Sequence, residues 1–351
     1  MLLNLISDSI KQSGLELGFD LVGIAPVEQF GELNYFPQWI AEKRHGEMGY
    51  LESRTESGEL KRSSISVAAP WARSVVVCAL NYNSDVPYST EFADPSRGWI
   101  SRYAWAQRDY HEVILPKLRQ LENKIRQQTT DEPRMWSYVD TGPIVERVLA
   151  QHAGIGWVGK NTCVINQQLG SWLFLGVILT SSQLQPDLPA PDRCGTCTRC
   201  LDTCPTNAFI EPYKLDASKC ISYLTIEKRG PIPEHLRDGI GRHVFGCDIC
   251  QDVCPWNRKA PIANTPEMHP RGELVNPALI EIADIAENEF REKFRGSPVK
   301  RSKRAGLRRN AIVAIGNSGD KRFLPLLDRL VGDEDPVVAE HAEWARVKLT
   351  Q

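Results

Sequence analysis

The sequence lacks a strong net charge, a long apolar run and a secretory start, and each absence narrows its reading. Its 42 Lys and Arg against 44 Asp and Glu leave a formal charge of −2. The chain as a whole therefore does not advertise a polyanionic partner, although a local patch still can. The strongly apolar stretch Trp172 to Thr180 is the longest of its kind and falls far short of the ~20 residues that span a bilayer. The start, Met1-Leu2-Leu3-Asn4-Leu5-Ile6-Ser7-Asp8, has neither the basic residues nor the cleavage site of a secretory signal, and Asp8 interrupts its apolar run. The expected setting is cytoplasmic, with no membrane partner. The radical-type CxxxCxxC triplet is also missing, which argues against radical S-adenosylmethionine chemistry.

Cysteine, by contrast, is plentiful. The 351 residues allow two or three domains, and 42% hydrophobic with 25% charged residues is a globular balance. Eight of the ten cysteines lie between Cys194 and Cys254. In a large intracellular chain such clustering points to metal or redox chemistry rather than disulfides. The first run is Cys194-x2-Cys197-x2-Cys200-x3-Cys204-Pro205, the full bacterial ferredoxin spacing with its proline. The second is Cys220, then Cys247-x2-Cys250-x3-Cys254-Pro255, with its first ligand moved upstream. Three close thiolates wrap one face of a cubane, and the fourth reaches the neighbouring cluster. That rule gives Cys194, Cys197, Cys200 and Cys254 to one [4Fe–4S] cluster and Cys204, Cys220, Cys247 and Cys250 to the other. Structural zinc is the bland alternative, but zinc ribbons do not require this nearly repeated run. Cys78 reads as a core thiol, and Cys163 as a buried one that can also line a pocket.

Residues 1–185 read as a mixed α/β (α+β) domain. Leu2–Leu17 is a helix, and Asp20–Ala25, Ser74–Leu80, Met135–Val139 and Leu173–Thr180 are strands. Ile114, Leu118, Leu121 and Ile125 recur at helical spacing. Pro143 suits the first turn of a helix that Gly154 ends. Gln185–Asp192, with three prolines, reads as a linker to a ferredoxin-like module over 186–262. The segment 263–351 carries three helix-length pieces, Arg309–Ile315, Arg322–Leu330 and Pro336–Leu349, in the pattern of a HEAT-like repeat. One repeat cannot bury its own apolar face, so it is expected to pack on the main body.

Two clusters make an electron wire, and a domain of some 185 residues before them suggests a site where electrons end. Here the sequence resembles the epoxyqueuosine reductase family. The marks are Ile100-Ser101-Arg102-Tyr103, Asp109-Tyr110-His111, Val139-Asp140-Thr141-Gly142-Pro143, Ala153-Gly154-Ile155-Gly156-Trp157, Gly159-Lys160-Asn161, both cysteine runs and the HEAT-like end. The resemblance implies a cobalamin-dependent reductase that turns epoxyqueuosine into queuosine at the wobble position of tRNA anticodons. It also implies kinship with cobalamin-dependent reductive dehalogenases. Asp140, at a strand end, becomes the candidate proton donor, although an Asp before Thr-Gly-Pro also suits a turn. An acid working near neutral pH is expected to be buried. By position in the matched motifs, Arg62, Ser101, Asp140 and Val164 are expected to line cobalamin. Ser222, Asp248 and Ile249, beside the second set of ligands, are further candidates. The DxHxxG signature that brings a histidine to cobalt is absent: Ile114 stands where its glycine belongs after Asp109-Tyr110-His111. His111 is instead expected to start a helix with a structural hydrogen bond.

Charge is locally uneven. Arg295, Lys300, Arg301, Lys303, Arg304, Arg308 and Arg309 follow one another with no acidic residue between. With Lys228 and Arg229 they are the candidate tRNA contacts, against the plain reading of a solvated helix face. Trp71, Trp105, Trp157 and Trp172 are possible base-stacking surfaces that also suit a core. An external electron donor and a monomeric state are expected. The alternatives are a cobalamin reductase of a small molecule, an electron carrier with no site of its own, and a zinc-stabilised RNA-binding protein.

Overall fold

Apolar runs set the framework of the first half of the chain. In the computed structural model, which describes residues 2–129 and 132–351, helix α1 spans Leu2–Glu16 and strands β1 and β2 span Leu21–Pro26 and Ser74–Asn81. Helix α2 (Tyr110–Gln128), strand β3 (Met135–Tyr138), helix α3 (Glu146–His152) and strand β4 (Leu173–Thr180) follow. The strands form one sheet in the order β1-β2-β4-β3, antiparallel at every pairing. Every residue of β2 is buried because both faces are covered. Val76, Cys78 and Leu80 pack with Ile114 and Leu118 of α2, while Val75, Val77 and Ala79 pack with Val148 and Leu149 of α3. Of the α/β and α+β forms expected, the structure takes the α+β one. The crevice at the strand ends of a parallel sheet is therefore not what places Asp140. Gly176, opposite Cys78, lets α2 lie directly on the sheet: a Cβ there would stand 2.8 Å from Ile114 and 3.0 Å from Leu118.

Two local expectations are corrected. The helix expected from Pro143 begins at Glu146. Asp140 takes a left-handed φ of +58° and Arg62 holds the Gly142 carbonyl at 2.8 Å, so residues 140–145 make an open turn instead of a first helical turn. The segment 185–192 is docked, not a free linker. The Asp187 carboxylate accepts the Ile24 N–H and the Lys11 ammonium, each at 2.8 Å, and the Asp187 N–H donates to the Ile24 carbonyl at 2.8 Å. It thereby covers the open edge of β1.

The later segments share their core with the first. Trp99–Ile100 pairs in parallel with His243–Phe245. Ile100, Trp105, Val244 and Phe245 belong to one apolar cluster with helices α4 (Lys303–Ser318), α5 (Leu324–Leu330) and α6 (Pro336–Thr350). Residues Gly306 to Gly316 of α4 are buried. Arg309 has no exposed surface, and its guanidinium donates to the carbonyls of Leu224 and Gly230 at 2.7 Å and of Lys228 at 3.0 Å. Arg308 is 4% exposed and is held by Asp333 and by the Ala283 carbonyl at 2.9 Å. Both were candidate tRNA contacts. Their donors are instead spent inside the protein, where no phosphate reaches them. Burial lowers the Arg309 pKa to about 10. Replacing Arg309 by Ala is expected to destabilise the fold by about 1–3 kcal/mol for each carbonyl left unsatisfied. A urea midpoint equal to wild type would contradict that account. Among the described residues, no helix is long and apolar enough to cross a membrane.

Candidate functional site

The eight clustered thiols lie in two neighbourhoods. Cys194, Cys197, Cys200 and Cys254 line one cavity, together with Lys160, Ile165 and Trp256. The remaining four lie near one another: Cys204 acts electrostatically on Cys220, Cys220 on Cys247, and Cys247 on Cys250. Burial, then the charge of Cys220, pushes the Cys247 thiol well up, so a cation beside it is what favours its thiolate. Among the described residues, no three His, Cys, Asp or Glu side chains converge as one metal ion requires. Thiolates around a single zinc at ~2.3 Å would lie within ~4 Å of each other. The spacing of the two cysteine runs is that of two cubanes. The backbone N–H groups of Ser222 and Tyr223 point at the Cys220 sulfur, and that of Ile249 at Cys247.

The Gly159-Lys160-Asn161 motif clamps both cysteine runs. Lys160 donates to the carbonyls of Gly195 at 2.7 Å and Cys197 at 3.0 Å, and Asn161 donates to that of Cys250 at 3.3 Å. Cys163, just beyond, lies beside Cys250. The Ile100-Ser101-Arg102-Tyr103 motif joins the same module. The Asp248 carboxylate accepts the Arg102 N–H at 2.6 Å and the Ser101 hydroxyl. Two of the expected cofactor residues, Ser101 and Asp248, thus meet across 147 positions of sequence, both buried. Val164 pairs with Val158, and its buried side chain belongs to the core on the α3 face of the sheet, so only its backbone is free for a ligand. Ser222 and Ile249 are half-buried beside their cysteines.

Asp140 stands on the turn after β3, held from below. Tyr110, the first residue of α2, donates from its phenol to Asp140 Oδ2 at 3.1 Å. Its ring stacks on Phe174 of β4, with centroids 4.4 Å apart and planes 8° from parallel. Burial, then the Asp140 charge, raises the Tyr110 phenol, which keeps it a neutral donor. Asp140 itself is exposed, against the expectation that the acid would be buried. Asp140 and Thr141 are exposed on this turn, while Gly142 beside them is buried. In Asp109-Tyr110-His111 the sequence draws attention to the histidine, and the tyrosine carries no signal of its own. His111 is tied to its own helix start, with Nδ1 2.7 Å from Asp109 Oδ1.

A second carboxyl near this turn left no sequence signal. Glu146 opens α3, and its Oε1 is buried without a hydrogen-bond partner. Burial first, then the Asp140 charge, raises its pKa from 4.5 to about 7. An unfolded chain releases this proton near 4.5, whereas the fold keeps it up to about 7. Stability is therefore unaffected below the lower value, falls between the two and carries the full cost above the higher one. The shift corresponds to about 3 kcal/mol. Glu146→Gln should raise the thermal midpoint at pH 8 and leave it near wild type at pH 4.5. An equal change at both pH values would rule this reading out.

Around Asp140 lies a basic rim. Arg62 Nη2 donates to the Gly142 carbonyl at 2.8 Å and Nη1 to the Tyr50 carbonyl at 2.9 Å. Arg301 forms two hydrogen bonds with Glu227, at 2.9 and 3.0 Å. Lys228 pairs with Glu47, and Arg304 donates to the Ile285 carbonyl at 2.7 Å. Lys300, Arg301, Lys303 and Arg229 are exposed. Charge in the sequence thus overstated the patch: part of it is neutralised or turned inward. Trp105, Trp157 and Trp172 are buried core residues.

A family model described as "Epoxyqueuosine reductase QueG, DUF1730" matches residues 62–141, and one described as "4Fe-4S double cluster binding domain" matches residues 193–257. An epoxyqueuosine reductase of Pseudomonas aeruginosa is 40% identical over 97% of this chain and 93% of its own. The crystal structure of an epoxyqueuosine reductase with an epoxyqueuosine-modified tRNA-Tyr stem loop is 32% identical, with a TM-score of 0.87 over 99% of this chain and 91% of that one. A Bacillus subtilis epoxyqueuosine reductase, described with an aspartate-bearing catalytic loop swung out of the active site, gives a TM-score of 0.86 at 32% identity over 98% and 90% of the two chains.

Proposed function

This chain belongs to the epoxyqueuosine reductase family of oxidoreductases, and we propose that it removes the epoxide oxygen from epoxyqueuosine at the wobble position of tRNA, at the Asp140 turn. The observation that carries the reading is the place of Asp140. It lies exposed on a turn that Tyr110 and Arg62 hold, on the same rim as Arg301. A relative's aspartate loop is described as catalytic and swung out of the active site, and Asp140 is the aspartate assigned that catalytic part here.

Removal of the oxygen as water, leaving a carbon–carbon double bond, consumes two electrons and two protons. Asp140 gives one proton to the opening oxygen, and solvent at the exposed turn supplies the second. Tyr110, kept neutral by burial, holds the carboxyl in place through Oδ2. The two sets of four cysteines hold the clusters that bring electrons, and Lys160 and Asn161 fix the two sets relative to each other. Cobalamin, when bound, supplies the low-valent centre for the two-electron step. The chain's polar atoms suit such a cofactor: the pair Ser101–Asp248, the backbone at Val164, Ser222 and Ile249, the Arg62 donor on the turn, and the unpartnered buried acceptor Glu146 Oε1. The division into a catalytic part (1–185), a two-cluster module (186–262) and a HEAT-like part (263–351) that backs the basic loop belongs to the same proposal. So do an external electron donor, a monomeric state and a cytoplasmic setting.

The test is anaerobic turnover with reduced protein and tRNA bearing epoxyqueuosine, with and without cobalamin. A digested nucleoside one oxygen lighter, formed only when cobalamin is present, is expected. Loss of oxygen without cobalamin would remove that cofactor from the account. Neutralising Lys300, Arg301 and Lys303 together should weaken tRNA binding and lower the slope of log affinity against log salt by about 0.7–0.9 for each phosphate no longer neutralised. An unchanged slope would take the rim out of RNA binding.

A further inference from the structure

We infer that Tyr50 is a stacking platform for a nucleobase of the RNA, beside the Asp140 turn. The inference rests on the tRNA reading above and adds a residue to it. Tyr50 is 48% exposed, on a short helical turn spanning Gly49–Glu52. Two guanidiniums approach its ring, Arg62 at 5.8 Å and Arg301 at 5.6 Å from the centroid. Neither cation is loose: Arg62 is fixed to the Tyr50 and Gly142 carbonyls and Arg301 to Glu227.

The turn that carries the ring is itself pinned. The Glu47 N–H donates to the Tyr223 hydroxyl at 2.8 Å, and Glu47 takes the Arg229 N–H at 3.0 Å and pairs with Lys228. Gly46, with φ of +61°, allows this close approach: a Cβ there would lie 2.3 Å from the Tyr223 ring. Three distant stretches of chain, 46–62, 223–229 and 301, are thus spent on fixing one half-exposed aromatic ring with two guanidiniums close over it. A flat π surface flanked by cations is what an unstacked base with its two phosphates recognises. The ring lies close enough to Asp140 for the two to interact electrostatically. A base stacked on Tyr50 would therefore neighbour the nucleotide whose epoxide is opened.

The experiment measures the affinity of cluster-loaded full-length protein for a fluorescent anticodon stem-loop carrying epoxyqueuosine, across a salt series. Wild type, Tyr50→Ala, Tyr50→Phe and Tyr50→Trp are compared. Stacking predicts that Tyr50→Ala weakens binding roughly 5- to 100-fold, with the salt slope unchanged, and that Phe and Trp retain it. Cobalamin binding and iron content should not change in any of them. Equal affinity of Tyr50→Ala and wild type would overturn the inference. So would a loss in the Phe variant equal to that in the Ala variant, because the hydroxyl and not the ring would then matter. If wild type does not bind the stem-loop at all, the tRNA reading falls, which this design separates from failure of the platform alone.

Discussion

Replacing Cys254 by Ala should abolish the cluster held by Cys194, Cys197 and Cys200, although Cys254 lies in the other cysteine run. Iron should fall to about half, and turnover should stop because the electron path is cut. The reason is geometric. Cys254 shares a cavity with Cys194, Cys197 and Cys200, and the proline after it turns the chain so that its thiol leaves its own triplet. The electron paramagnetic resonance spectrum of reduced Cys254→Ala should match that of Cys197→Ala and differ from that of Cys204→Ala. The converse match, with Cys204→Ala, would refute the crossed arrangement. Zinc in place of iron in anaerobically prepared wild type would refute the cluster reading altogether.

Asp140→Asn should lower turnover by roughly 10²–10⁴-fold, the usual contribution of a positioned acid. Asn keeps the shape and can still accept the Tyr110 hydroxyl, so the turn, the clusters and RNA affinity should survive. That separation is the point of the substitution: stem-loop affinity near wild type with turnover lost places Asp140 in the chemistry. Equal turnover in the variant would remove it. Tyr110→Phe should give a smaller loss, because the phenol only holds the carboxyl. Its stack on Phe174 remains, so the fold should be little affected.

The sequence made the cluster module readable because its ligands are local: spacing of two and three residues carries the geometry. Strands were readable from apolarity, as at Ser74–Leu80, but their direction was not, because burial on both faces looks the same in parallel and antiparallel sheets. The start of α3 was misplaced since a proline that suits a first helical turn says nothing of Arg62, 80 positions away, which holds the Gly142 carbonyl. The basic segment misled in the same way. A count of Arg and Lys does not report which of them point inward, and Arg308 and Arg309 do. Asp140 was legible only through its motif. Tyr110 and Tyr50 owe their roles to neighbours far along the chain, the Asp140 turn and the approach of Arg62 and Arg301, and Glu146 owes its shift to burial that its sequence neighbours do not reveal. No local pattern encodes such meetings.

The most direct test of the central claim is a single-turnover count of electrons against oxygen. Protein loaded with both clusters and cobalamin is reduced, freed of reductant, and mixed with a slight excess of tRNA carrying epoxyqueuosine. The account predicts that two electrons leave the protein for each oxygen lost from the nucleoside by mass spectrometry, and that the Asp140→Asn variant loses neither at a comparable rate. Clusters that stay reduced while the nucleoside keeps its oxygen, with tRNA and cobalamin both bound, would contradict it.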